Sequence, residues 1–117
     1  SLSDAVNRNK AVILSFTAYT AEGSTAYNAL LAEAYRRYHN QGLEIYQVAF
    51  DDDEFQWKKS AKNLPWITVY HPSTQGAQTL MNYNVQGLPT TFVLANGQIT
   101  DRVTDPAAIS TTVGRHF

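Results

Sequence analysis

Two apolar runs and one amphipathic stripe frame this chain. Ala11 to Phe16, AVILSF, is a continuous apolar stretch rich in β-branched residues, the pattern of a strand covered on both faces. Leu43 to Phe50, LEIYQVAF, reads as a second such strand. Between them Tyr27, Leu30, Leu31, Ala34, Tyr35 and Tyr38 recur at i, i+3, i+4, i+7, i+8 and i+11, one stripe along a helix. The polar segment Thr17 to Ser24 before it reads as a loop, with Ser24 or Thr25 as N-cap. Asn40-Gln41-Gly42 ends the helix, with Gly42 available for a left-handed cap. Arg36, Arg37 and His39 sit in its last turns, where cations complement the helix dipole.

The second half is more broken. Asp51-Asp52-Asp53-Glu54 supplies N-caps and first-turn acids for a helix through about Lys62, closed by Pro65. Trp66 to Tyr70 reads as a short strand, His71 to Gly76 as a loop, Ala77 to Tyr83 as a short helix, and Gln86-Gly87-Leu88-Pro89 as a turn. Thr90 to Leu94 and Gln98 to Val103 flank Ala95-Asn96-Gly97, an Asn-Gly hairpin signal. Asp105-Pro106 then opens a final helix that runs to about Arg115. The order β-α-β-α-β-α-β-β-α begins with a right-handed parallel βαβ unit and ends in an antiparallel hairpin. It predicts an α/β fold, a central mixed sheet with helices on both faces. No repeat, low-complexity tract or linker divides the chain, so residues 1–117 read as a single domain. The polar opening SLSDAVNRNK suits the start of a mature domain or a piece cut from a longer chain.

Composition narrows the chemistry. A net charge of −1 points to neither nucleic acid nor an anionic membrane, and the run Ala11 to Leu14 falls far short of a span. The chain has no cysteine, which removes disulfides, zinc-thiolate sites and thiol nucleophiles but leaves the compartment open. The acidic run lacks the spaced D-x-D-x-D-G of a calcium loop and sits where a strand gives way to a helix, so it reads as capping; no metal or cofactor is expected. His39, His71 and His116 are scattered, so no base pairs visibly with a serine nucleophile.

Three segments together resemble the thioredoxin-like superfamily. Phe16 to Ser24, FTAYTAEGS, is similar to that family's loop of Phe-x-Ala followed by Trp-Cys-x-x-Cys at a helix start. Tyr83 to Phe92, YNVQGLPTTF, is similar to its Tyr-x-Val-x-Gly-x-Pro-Thr-x-Phe, and Asn96-Gly97-Gln98-Ile99 to the hairpin that follows. Trp57 and Trp66 match tryptophans of the TlpA-like thiol-disulfide oxidoreductase branch (AhpC/TSA-type). The resemblance runs from about Lys10 to Phe117 and lacks the initial strand pair usual in that branch. It implies the thioredoxin fold with a cis proline at Pro89. It places Thr20 at the family's tryptophan, Ala21 and Ser24 at its two cysteines, and Glu22 and Gly23 between them.

Those substitutions set the functional expectation. Alanine offers no nucleophile, and a serine hydroxyl has neither the low pKa nor the two-electron chemistry of a dithiol. The resemblance therefore implies a redox scaffold without its redox pair, a non-catalytic binding or structural module of a bacterial, extracytoplasmic protein. Tyr19, Thr20, Glu22, Trp66, Leu88 and Pro89 are its candidate binding residues; Tyr19, Thr20, Trp66 and Leu88 could line a shallow surface, while Trp57 and Trp66 read equally well as core residues. The Leu88 backbone beside Pro89 would pair with an extended protein or peptide partner. Ser24 reads as a cap, and Glu22 as a helix-start carboxylate favoured by about 0.3–1 kcal/mol. Two alternatives stay open: a thiol-disulfide oxidoreductase whose natural sequence carries cysteines at 21 and 24, and a cysteine-free, glutathione-transferase-like activity using Ser24 or Tyr19.

Overall fold

The computed structural model describes residues 1–71, 81–83 and 87–117. In chain order these form α1 (Leu2–Arg8), β1 (Ala11–Thr17), α2 (Ser24–Tyr38), a 3₁₀ turn (His39–Gln41), β2 (Leu43–Ala49), α3 (Glu54–Ala61), β3 (Ile67–Tyr70), β4 (Thr90–Ala95), β5 (Gln98–Val103), a 3₁₀ turn (Pro106–Ala108) and α4 (Ile109–Gly114). The five strands make one sheet in the order β3-β2-β1-β4-β5. β1 runs parallel to β2 and antiparallel to β4, so the sheet is mixed. All seven residues of β1 are buried, which is why its sequence shows no alternation.

Alternation along the strands divides the core in two. Ala11, Ile13, Leu43, Ile45 and Val93 face α2 and α4, where Tyr27, Leu31, Ala34, Ile109 and Val113 meet them. Val12, Leu14, Phe16, Phe92 and Leu94 face the other way, onto Ala5 of α1 and onto Tyr83 and Leu88. The α2 stripe read from the sequence is the buried or half-buried face of that helix. Asn96 and Gly97 both take positive φ, +55° and +76°, as the Asn-Gly turn requires.

Several local expectations need correction. The opening segment, given no element by the sequence pattern, forms a helix. Ser1 and Asp4 form a capping box, and Leu2, Ala5 and Val6 pack that first turn onto the sheet. The N-cap of α2 is Gly23 at φ +83°, a left-handed backbone that glycine adopts most cheaply, and Ser24 is the first helical residue. The final helix begins as a 3₁₀ turn under the Asp105 cap, whose carboxylate accepts from the Ala107 N–H at 3.0 Å. The residues 72–76 of the expected loop, 77–80 of the expected helix and 84–86 around Gln86 lie outside the described residues. No described helix is long and apolar enough to cross a membrane.

Candidate functional site

The loop from Ala18 to Gly23 leaves the end of β1 and enters α2. It is tied down from outside. Asp51, two residues past β2, is 2% exposed. Its carboxylate accepts from the Tyr19 N–H at 2.9 Å through one oxygen and from the Thr20 N–H at 3.1 Å through the other. Asp51 is therefore no helix cap; Asp53 caps α3, accepting from Phe55 N at 2.9 Å and Gln56 N at 3.3 Å. Within the loop, Ala21 N–H donates to the Ala18 carbonyl, Ser24 N–H donates to the Ala21 carbonyl, and Ser24 Oγ donates to the Tyr19 carbonyl at 2.6 Å.

Beneath the loop lies a row of polar side chains. Register puts Ser15 of β1 opposite Gln47 of β2 and Thr91 of β4, all on the α2 face of the sheet. Gln47 is fully buried. Its Oε1 accepts from Tyr19 OH at 2.7 Å and from Trp66 Nε1 at 3.0 Å. Its Nε2 donates to Asn28 Oδ1 at 2.9 Å and to Ser15 Oγ at 3.3 Å. Both lone pairs and both protons of that amide are thus used. Ser15 in turn bonds Tyr27 OH at 2.7 Å, and Tyr27 bonds Thr91 Oγ1 at 2.7 Å. Burial raises the Tyr27 phenol pKa above its ordinary value. Burial, and then the Asp51 charge, raise that of Tyr19.

The sequence candidates separate in this arrangement. Tyr19 and Ser24 meet at the loop base. Thr20 and Glu22 are exposed and Ala21 is half-buried. Glu22 precedes the Gly23 cap and lies outside the first turn of α2. Trp66 does not line a surface: it is 6% exposed, its N–H turned inward to Gln47 and its ring edge-on to Tyr35. Trp57 packs at a tilt against Tyr70, their ring centroids 5.2 Å apart. Leu88 is half-buried against the opposite core, Pro89 is exposed, and the peptide between them is cis. Thr90, next in line, pairs with Phe16, so this segment and the Ala18–Gly23 loop emerge at the same end of the sheet. Among the described residues no group of three or more His, Asp or Glu is placed to hold a metal ion.

Sequence reasoning missed Asp51 as an anchor, and Gln47, Asn28, Ser15 and Thr91 as a network. The signal for part of it was present: Ser15 and Gln47 are polar residues inside otherwise apolar strand runs.

A family model described as thioredoxin-like matches residues 9–99. The solution structure of an uncharacterized thioredoxin-like protein from Bacteroides vulgatus is 36% identical, with a TM-score of 0.80 over 99% of this chain and 79% of that one. The thioredoxin domain of a thiol-disulfide oxidoreductase from Bacteroides vulgatus superposes with a TM-score of 0.86 at 22% identity, covering 97% of this chain and 82% of that one. A thiol-disulfide oxidoreductase from Bacteroides fragilis gives 0.82 at 23%, covering 96% and 85%. These last two share the fold. No curated protein matches.

Proposed function

We propose that this chain, which belongs to the thioredoxin-like family, is a redox-silent module that binds an extended protein or peptide segment at the Leu88–Pro89 loop. One observation carries the reading. The helix-start loop is fully formed and anchored, yet its two chemical positions hold a methyl group at Ala21 and, at Ser24, a hydroxyl already donated to the Tyr19 carbonyl. A scaffold without a thiol can neither attack a disulfide nor store the two electrons released. What remains for a partner is shape and backbone: an exposed Pro89 and a half-buried Leu88 beside the loop.

The test is dithiothreitol-coupled insulin reduction. The expected rate equals that of buffer alone; catalysed turnover would sink the proposal. Cysteine codons at 21 and 24 in the natural gene would favour the oxidoreductase reading instead.

The transferase alternative has less behind it. Tyr19 OH is turned inward to Gln47, and its raised pKa opposes the ionised form that would activate a thiol substrate. Calorimetry with millimolar glutathione should give no binding heat. The Bacteroides vulgatus relative supports a bacterial source, and the TlpA-like resemblance of the Trp57 and Trp66 region supports an extracytoplasmic location. Fractionation of the host, with the chain recovered in the cytosol, would refute it.

A further inference from the structure

A groove of about 310 Å³ lies between the start of α2 and the end of α3, lined by Tyr19, Ser24, Thr25, Asn28, Ser60 and Leu64. That volume is at the low end for ligand sites and suits one side chain rather than an extended cofactor. None of the six residues is charged. The buried network decides what the groove can accept. The Trp66 indole N–H can only donate, so the Gln47 atom 3.0 Å away is the amide oxygen. Gln47 Nε2 then faces Asn28 at 2.9 Å, and the atom meeting it must be an acceptor, Oδ1. The Asn28 NH₂ is thereby turned from Gln47 and left to the groove. Ser24 Oγ uses its one O–H in donating to the Tyr19 carbonyl at 2.6 Å, so toward any further partner it can only accept.

The groove therefore offers one donor and one acceptor of fixed sense, flanked by the Thr25 and Ser60 hydroxyls and by apolar surface from Leu64 and the Tyr19 ring. We propose that it binds the carboxamide of an asparagine or glutamine side chain in the partner, an inference that rests on the peptide-binding reading above. The ligand carbonyl accepts from Asn28 Nδ2, and its NH₂ donates to Ser24 Oγ. A carboxylate of the same shape meets the Ser24 lone pairs with no lining cation to offset them, and an ammonium meets the Asn28 donor.

The test is an NMR titration of the full chain with N-acetylglutamine methylamide, against the glutamate analogue at pH 7. The glutamine probe should give saturable shifts at the Asn28 side-chain NH₂, Ser24, Thr25 and Ser60. The glutamate probe should bind at least about tenfold more weakly, the cost of about one unfavourable polar contact. Asn28→Asp keeps the acceptor for Gln47, removes the donor and should abolish binding. Ser60→Phe, at an exposed helix position, should fill the groove without touching the network and also abolish binding. Equal affinity for glutamate, unsaturable shifts with the glutamine probe, or unchanged binding by folded Ser60→Phe would each overturn the proposal. A pentaalanine peptide separates this idea from its premise. Shifts at Gly87, Leu88 and Thr90 without any glutamine response would sink the groove alone. A glutamine response with no pentaalanine binding would support the groove and sink the loop as the docking site.

Discussion

Gln47→Met tests whether the buried amide holds the site together. Methionine has similar length and fills the same space, so the packing change is small. The loss is in hydrogen bonds. Trp66 N–H and Tyr19 O–H lose their acceptor, while Asn28 and Ser15 lose a donor. Ser15 keeps its bond to Tyr27, and half-buried Asn28 can turn to water. Trp66, 6% exposed, has no such escape. A buried donor left unpaired costs about 1–3 kcal/mol, so Trp66 in full and Tyr19 at about half amount to about 1.5–4.5 kcal/mol. Against a total stability of about 5–15 kcal/mol that is large. Urea unfolding should show the midpoint falling by about 1–2 M at an unchanged slope. Gln47→Glu supplies a second readout. Its carboxylate would be buried with no cation beside it, so its folded pKa should lie above the unfolded value of about 4.3. The folded state then binds the proton more tightly. The deficit relative to the parent chain is greatest near pH 7 and shrinks as pH falls through the folded pKa. A Gln47→Met loss below about 0.5 kcal/mol, or a Gln47→Glu deficit flat from pH 8 to pH 5, would refute the reasoning.

Three further outcomes follow from the same geometry. Asp51→Ala removes two charge-assisted bonds to main-chain N–H groups and should cost about 2–4 kcal/mol, with hydrogen exchange at the Tyr19 and Thr20 amides accelerating far more than in β1; unchanged exchange there would count against the anchor. The double variant Ala21→Cys with Ser24→Cys should oxidise to an intramolecular disulfide and gain insulin turnover; persistent free thiols in a thiol-reagent titration under oxidant would show that the loop no longer fits the chemistry. Tyr27 and Tyr19 have folded pKa values raised above the ordinary value of 10.0, so the folded chain keeps protons that the unfolded chain loses. Their stability contribution is complete below about pH 10 and is lost as pH climbs beyond it, by up to about 1.4 kcal/mol per pH unit per tyrosine. Thermal unfolding from pH 8 to pH 12 should show this, and Tyr27→Phe should make the decline shallower.

What could be read from sequence depended on whether the signal was local. β1 and β2 announce themselves because burial on both faces leaves long apolar runs, and α2 because a four-turn helix repeats its stripe often enough to be seen. The seven-residue α1 spans fewer than two turns, too short for a period, although its S-x-x-D box was there to read. The site divides the same way. Ala21 and Ser24 could be named as candidates because they sit in a contiguous motif. Asp51 was misread because its partners lie more than thirty positions away, and a row of acids before a helix looks like capping. Trp66 stayed open between surface and core because nothing in its neighbours reveals a buried acceptor at Gln47. Ser15 and Gln47 look odd in their strands, but only the parallel register makes them neighbours.

The Asp51 tether grips main chain. Its two bonds end on backbone N–H groups at Tyr19 and Thr20, and the side chains of Thr20, Ala21 and Glu22 take no part in it. The arch is thus indifferent to what those three positions display, so long as Gly23 keeps its turn and Tyr19 its foothold on Gln47. Such a loop can exchange its chemical vocabulary without being rebuilt. Residues 20–22 form a natural graft site, a rigid frame on which short foreign sequences can be installed and compared with the backbone held constant.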